Sequence, residues 1–241
     1  MIKKIRGMVI SEIPYGDSSK IINIATKEYG IIGIMAKGAK SLKSKLRAVT
    51  ARFTYGDFHM YYNENKLSTL ISVDVLNNLT NLKNDITNLS FLSYVTDLAT
   101  QVMKQTFQED VFALYIDTVL KMESGVEPLV LTNILELKLL DYLGVGLDLS
   151  ACVKCGSKVD IATINADSGG YLCAKCLTNE PLVNPKTIKL LRMYYYVDIN
   201  SITKVALNEN VKEEINSFLN KYYERYTGLY LYSKQFLEKV R

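Results

Sequence analysis

Cys152-Val153-Lys154-Cys155 and Cys173-Ala174-Lys175-Cys176 hold all four cysteines of the chain. The seventeen residues from Gly156 to Leu172 that separate the two CxxC pairs give the spacing of a tetrathiolate zinc site. Each pair can form a tight knuckle that aims two thiolates at one ion, and the segment between them must reverse to bring the knuckles face to face. Asp167-Ser168-Gly169-Gly170 supplies the reversal. Ile161 to Ile164 before it and Tyr171-Leu172 after it read as the two short strands of a zinc hairpin at about 150–180. Four thiolates leave no open position for water, so the expected metal is one structural Zn2+ per chain, held by Cys152, Cys155, Cys173 and Cys176. A thioredoxin-like redox pair needs a single CxxC at a helix start after a strand. Two disulfides need an oxidising compartment, and Met1 to Arg6 are followed by no long apolar core or cleavage site. Reduced, metal-bound thiols in a cytoplasmic protein are therefore expected.

The second constellation is cationic. Lys37, Lys40, Lys43, Lys45 and Arg47 fall within eleven residues that contain no carboxylate. Such ammonium groups neutralise phosphates without reading bases, and the Gly and Ser between them suit a mobile loop that follows a polyanion backbone. A solvated charge run is the alternative. Neither GxxxxGK[ST] nor GxGxxG is present, so no nucleotide-hydrolysis loop is read. Tyr15, Tyr29, Phe53, Tyr55, Phe58, Tyr61 and Tyr62 could stack on unpaired bases, although a core role is expected for most. His59 is the single histidine and lies in an apolar run, which suits a structural residue. With the cysteines given to metal, Ser-His-Asp and Cys-His arrangements are unavailable, and no enzyme is expected.

These residues need elements to position them. The 241-residue chain is 48% hydrophobic, enough for a sizeable core. Its longest apolar stretch, Leu129 to Leu143, is broken by Asn133, Glu136, Lys138 and Asp141, so no membrane span is expected. Residues 1–80 carry twelve Lys and Arg against six Asp and Glu, a net +6, within a chain of net +4. A basic N-terminal part that meets a polyanion and a near-neutral remainder follow from that asymmetry. Period-two alternation marks strands near Ile5 to Ser11, Lys20 to Thr26, Gly30 to Ala36, Phe53 to Tyr62 and Leu67 to Val75, the last two bracketing a turn at Asn63-Glu64-Asn65. Five short strands with one longer connection between the third and fourth fit an OB-fold barrel over 1–79, and an SH3-like barrel reads similarly. Helical spacing then takes over, as in Leu89, Leu92, Val95, Leu98 and Val102. Pro128 opens a helix that Gly144 closes. Helices are also expected over Asp110 to Met122, Lys186 to Tyr196, Val211 to Tyr226 and Leu229 to Val240, giving an all-α domain over 80–241 that carries the zinc hairpin.

In order and spacing these motifs resemble the bacterial DNA repair and recombination protein RecO family. The resemblance rests on Tyr15-Gly16-Asp17-Ser18-Ser19-Lys20-Ile21, Glu28-Tyr29-Gly30 and Met35-Ala36-Lys37-Gly38-Ala39-Lys40, then on Leu143-Gly144 leading into Cys152-x-x-Cys155-Gly156, and on Gly169-Gly170-Tyr171-Leu172-Cys173-x-x-Cys176. Two departures are Asp17, where the family commonly has Glu, and Gly144-Val145-Gly146-Leu147, where it often has Gly-Tyr-x-Pro. The resemblance implies an N-terminal OB-fold, a helical domain with a zinc finger, and no ATP-driven turnover. It further implies binding of single- and double-stranded DNA, annealing of complementary strands, and cooperation with RecR so that RecA replaces single-strand-binding protein, with partner contacts on the helical part. A cytoplasmic, nucleoid-associated location follows. An alternative from another class is a zinc-ribbon protein of the ribosome or transcription machinery that binds RNA through the same basic loop.

Overall fold

The computed structural model describes residues 1–64, 66–106, 108–203 and 207–240; the expected turn at Asn63-Glu64-Asn65 includes Asn65, which lies outside them. In chain order the elements begin with β1 (Ile2–Tyr15), β2 (Ser19–Thr26), β3 (Gly30–Ala36), the single-turn helix α1 (Leu46–Val49), β4 (Tyr55–Tyr61) and β5 (Ser68–Asn77). Next come α2 (Thr80–Lys83), α3 (Ile86–Gln105), α4 (Glu109–Glu123) and α5 (Pro128–Tyr142). The chain finishes with β6 (Ile161–Asn165), β7 (Gly170–Cys173), α6 (Pro185–Tyr196), α7 (Glu209–Tyr226) and α8 (Tyr232–Val240). Packing groups these into two compact units, one of Met1–Ile116 with the segment from Ser233 on, the other Asp117–Tyr232.

In the first unit, β1 to β5 close into a barrel of order β1-β2-β3-β5-β4, with β4 returning to β1. Neighbours are antiparallel except β3 and β5, which run parallel with Ile34 opposite Ser68. This five-stranded ring is the OB-fold architecture expected from the alternation. Ile22 and Ile24 of β2, Ile34 and Ala36 of β3, and Phe58 and Met60 of β4 are fully buried inside it, each pair two residues apart as strand geometry requires. Gly7 and Gly56 face each other across β1 and β4, and a Cβ on either would come within 2.6 Å of a backbone oxygen, of Ala25 and Asp74 respectively. These two glycines let the strands coil tightly enough to close. α3 packs on β1 and β3 with Phe91, Leu92, Val95, Leu98, Ala99 and Val102 buried along one stripe. Ser233 of α8 donates to Asp97 at 2.7 Å, fastening the last helix to α3.

Phe53 and Phe58 of the seven barrel aromatics are buried and Tyr62 packs half-buried against the core, so the expected core role holds for these but fails for the three that are exposed. Tyr15, Tyr29 and Tyr61 lie exposed, and Lys3 sits over the rings of Tyr29 and Tyr62. The reason is register: Tyr61 lies on the outward parity of β4, one residue from inward Met60. His59 shares that outward parity and contacts Asp74 at 2.8 Å, a structural role on the barrel surface.

Beside it, buried Asp57 accepts from Arg6 Nε at 2.8 Å and Nη2 at 3.1 Å, and pairs with Lys4 at 3.2 Å. The Arg6 guanidinium, ahead of the opposing effect of burial and the help of Lys4, holds the Asp57 carboxyl at about 2. A depressed folded value means that the pairing stabilises above the unfolded carboxylate range, and that this contribution fades as pH falls from there through about 2. Because both cations are half exposed, the contribution is on the order of 1 kcal/mol. Denaturant unfolding should therefore show Asp57→Asn less stable than the parent near neutral pH, with the gap closing near pH 2. A gap of equal size at both would refute the assignment.

In the second unit, Leu129 to Leu137 of α5 are all buried, so this helix is apolar nearly all round and forms the unit's axis. α6 and α7 pack on it and on each other. Pro128 occupies its first turn and Gly144 follows its end at φ 73°, as the sequence indicates. Buried Lys212 of α7 is held between Glu127 at 2.5 Å and Glu209 at 2.6 Å, tying the start of α5 to α7. No helix among the described residues is long and apolar enough to cross a membrane.

Candidate metal centre and nucleic-acid interface

The metal centre is built by a hairpin. β6 and β7 pair antiparallel with Ile161 opposite Cys173 and Asn165 opposite Gly170. Asn165 caps their turn by accepting from Ser168 N at 2.7 Å, and Gly169 adopts φ 81°, which an L side chain rarely takes. The first knuckle closes through Gly156 N to Cys152 O at 2.8 Å and Cys152 N to Ser157 O at 2.8 Å. The second is a single 3-10 turn, Ala174–Cys176. Val153 N donates to Tyr171 O at 2.9 Å and Ala174 N to Asp160 O at 2.9 Å, so each knuckle is tied to the opposite half of the hairpin. Lys154 Nζ reaches Cys176 O at 3.3 Å and joins the knuckles directly.

All four sulfurs lie within 4.8 Å of one another, and Cys155 and Cys173 are 3.6 Å apart. Thiolates on a tetrahedral Zn2+ with bonds of about 2.3 Å stand about 3.8 Å apart, so the set fits such an ion. Burial opposes ionisation of Cys152, yet the backbone amides of Cys173, Cys155 and Lys154 outweigh it and bring the thiol down to about 6. Hydrogen bonding with Cys155 and burial push Cys176 up to about 12. Four thiols packed this closely share protons that a divalent cation would displace. Cys152 and Cys173 are buried while Cys155 is exposed, so an ion here would face solvent on one side only. The hairpin is also anchored: Tyr171 OH donates to Ile188 O at 2.7 Å, Thr163 to Pro181 O at 2.6 Å, and Arg225 of α7 pairs with Asp167 at 2.5 Å.

The cationic segment leaves β3 at the barrel rim. Its first part is pinned, which corrects the mobile loop expected from its Gly and Ser content. Lys40 N donates to Ser18 O at 2.8 Å, Lys40 Nζ to Gly16 O at 3.1 Å and Gly38 N to Ser19 Oγ at 3.2 Å, while Ala39 is fully buried. These bonds lock the segment to the β1–β2 turn. Lys37, Lys40, Lys43, Lys45 and Arg47 are all exposed, and among the described residues no carboxylate pairs with any of them. Lys40 and Arg47 come together on an open pocket of about 470 Å³ that Glu12, Pro14, Lys20 and Ala39 complete. Lys37, Lys43 and Lys45 do not line it. Sequence reading missed Lys20 and Glu12, whose approach depends on strand register.

A closed five-stranded barrel whose rim cations meet no carboxylate among the described residues, in one chain with a helical unit that holds four clustered cysteines, defines an OB-fold protein with a cysteine knuckle that could hold a metal ion. The chain belongs to the recombination protein O (RecO) family: the family's N-terminal model matches residues 1–79 and its C-terminal model residues 83–235. It is 34% identical to the DNA repair protein RecO of Halalkalibacterium halodurans, across all of this chain and 96% of that protein. The DNA repair protein RecO of Bacillus subtilis is 32% identical, across all of this chain and 95% of its own length. That of Listeria monocytogenes is 30% identical, across 99% of this chain and 95% of its own. Membership supports a role in DNA repair and recombination.

Proposed function

We propose that this protein binds single- and double-stranded DNA through the barrel rim, anneals complementary strands, and with RecR helps RecA replace single-strand-binding protein on DNA. The observation that carries the binding step is the run Lys37, Lys40, Lys43, Lys45 and Arg47, exposed and, among the described residues, without carboxylate partners on a barrel whose family acts in DNA repair. Annealing and the protein partners rest on family resemblance. The protein works as a cytoplasmic, nucleoid-associated binder and not as an enzyme. Its four cysteines hold one structural Zn2+, which keeps the hairpin folded and supplies no chemistry to substrate. Cys152, Cys155, Cys173 and Cys176 are the ligands, and the hairpin they close is braced on α6 and α7.

Annealing needs no nucleotide if the protein acts only by neutralising phosphates and holding two strands close. The test is a strand-annealing assay on complementary oligonucleotides coated with single-strand-binding protein, in the absence of ATP. Faster duplex formation than the uncatalysed control is expected. A rate equal to the control, or one that needs ATP, would sink the proposal. A competition arm adds specificity: single-stranded DNA should displace bound DNA better than an RNA duplex does, whereas the reverse order would favour an RNA-binding zinc-ribbon protein.

A further inference from the structure

The pocket at the barrel rim contains a cation that is already spoken for. Lys20 Nζ lies 2.5 Å from Glu12, the one ion pair among the pocket's lining residues. The two side chains differ in freedom, for Lys20 is only 10% exposed while Glu12 is 41% exposed. Their meeting follows from a β-bulge. Before it, Val9 stands opposite Ile24; after it, Ser11 stands opposite Asn23, with Ile10 left over. The extra residue shifts parity, so that Glu12 and Pro14, and not Ile13, share the face of Ile22 and Lys20. Ile13 is accordingly turned out and exposed. Lys20 continues the inward row Ile24, Ile22, and its stem is fixed by packing at the end of the barrel.

We infer that this pocket is a phosphodiester subsite in which Glu12 is a resident competitor: an incoming phosphate takes over Lys20 while Lys40 and Arg47 hold the phosphate from the other side. This rests on the reading of the rim as a DNA surface. Three cations against one carboxylate leave an excess of positive charge in the pocket, which favours an anionic ligand. Lys40 spends one of its donors on Gly16 O, leaving two for the pocket, and a guanidinium offers five. No aromatic side chain lines it, and Pro14 and Ala39 provide only small apolar walls, which suit a backbone and not a stacked base. Glu12 is the mobile partner because its side chain is exposed, whereas a buried ammonium must keep an anion beside it. Binding is thereby an exchange of one anion for another, which makes it weaker and more readily reversed than three unopposed cations would allow.

The exchange has a measurable signature. When phosphate displaces Glu12, the freed carboxylate recruits a cation from solution, which offsets the counterion that Lys20 releases from the nucleic acid. Glu12→Gln removes that offset and retains an oxygen that can accept from Lys20. Binding of a labelled oligothymidylate by the full-length protein, measured from about 50 to about 200 mM salt, should tighten by about threefold or more at the low end. Its slope in log K against log[salt] should steepen by about 0.7. Pro14→Glu, which adds a carboxylate on the same face, should do the reverse, and it keeps the inference testable should Glu12→Gln lose its thermal midpoint. Lys43→Ala with Lys45→Ala, both outside the pocket, tests the rim reading separately. If those two make the slope shallower while folded Glu12→Gln and Pro14→Glu leave affinity and slope unchanged, the pocket inference is overturned and the rim reading stands. If the lysine variant keeps the parental slope, the rim reading falls and the pocket inference, which rests on it, falls with it.

Discussion

Replacing Cys173 by Ser should strip the metal and melt the hairpin between Ser150 and Pro181 while the packed helices survive. Cys173 is buried, ends β7 opposite Ile161, and places its sulfur within 4.8 Å of the other three. The β6–β7 ladder alone is a two-stranded ribbon, which is marginal in water without a further staple. Apparent binding energies of about 10–16 kcal/mol in zinc-finger peptides show how much folding free energy such an ion supplies. The metal content of protein purified without added zinc should fall from about one equivalent per chain to near zero in the variant. Limited proteolysis should gain a cut within the hairpin. Leu191 of α6 and Ile215 of α7 are fully buried, so far-ultraviolet circular dichroism should keep most of its helical signal. Acid should mimic the mutation in the parent, since the ligands must be thiolates for metal to bind and protons compete for them. Full metal content with unchanged protease resistance in the Ser variant would mean that the four sulfurs are no metal site.

Much of this architecture was legible because local chemistry and fold agree. Gly30 to Ala36 is an apolar run of strand length after a turn and is β3 to the residue, and the cysteine spacing with the reversal at residues 167–170 specifies a hairpin with two knuckles. What escaped depended on information that no local window holds. The strand near Ile5 to Ser11 runs on to Tyr15 because β2 supplies hydrogen-bond partners, while the bulge at Ile10 breaks the alternation that would have signalled the extension. Gly7, Met8, Val9 and Ile10 are also four consecutive buried residues, which hides the strand period further. Glu12 and Lys20 are eight residues apart and meet only after the bulge inverts parity, so neither announces itself as part of a site. Leu46–Val49 and Thr80–Lys83 are single helical turns, too short for a period of 3.6 residues to show. The pinned start of the cationic segment went unread because its anchors, Gly16, Ser18 and Ser19, lie about twenty residues upstream.

Changing Lys40, Lys43 and Lys45 together to Ala should make the salt dependence of DNA binding shallower by roughly 2 to 3 units in log K against log[salt], if all three contact phosphate. Each contact contributes about 0.7 on a single strand and about 0.9 on a duplex, so the duplex should show the larger change. At low salt the loss of affinity should be large, because among the described residues these ammoniums have no carboxylate to return to. The loss should be uniform across base sequences: contacts that read base edges discriminate by about 1–3 kcal/mol each, and their removal would spare some sequences and cripple others. Lys40 differs from its two neighbours in one respect. Its Nζ donates to Gly16 O and its backbone N to Ser18 O, so its side chain also helps pin the loop to the β1–β2 turn. The backbone bond survives the mutation, and buried Ala39 still anchors the segment, so the fold should hold. Unchanged circular dichroism and thermal midpoint are the required control. A folded triple variant with the parental salt slope would show that the rim cations are a solvated charge run and that the nucleic acid follows another surface.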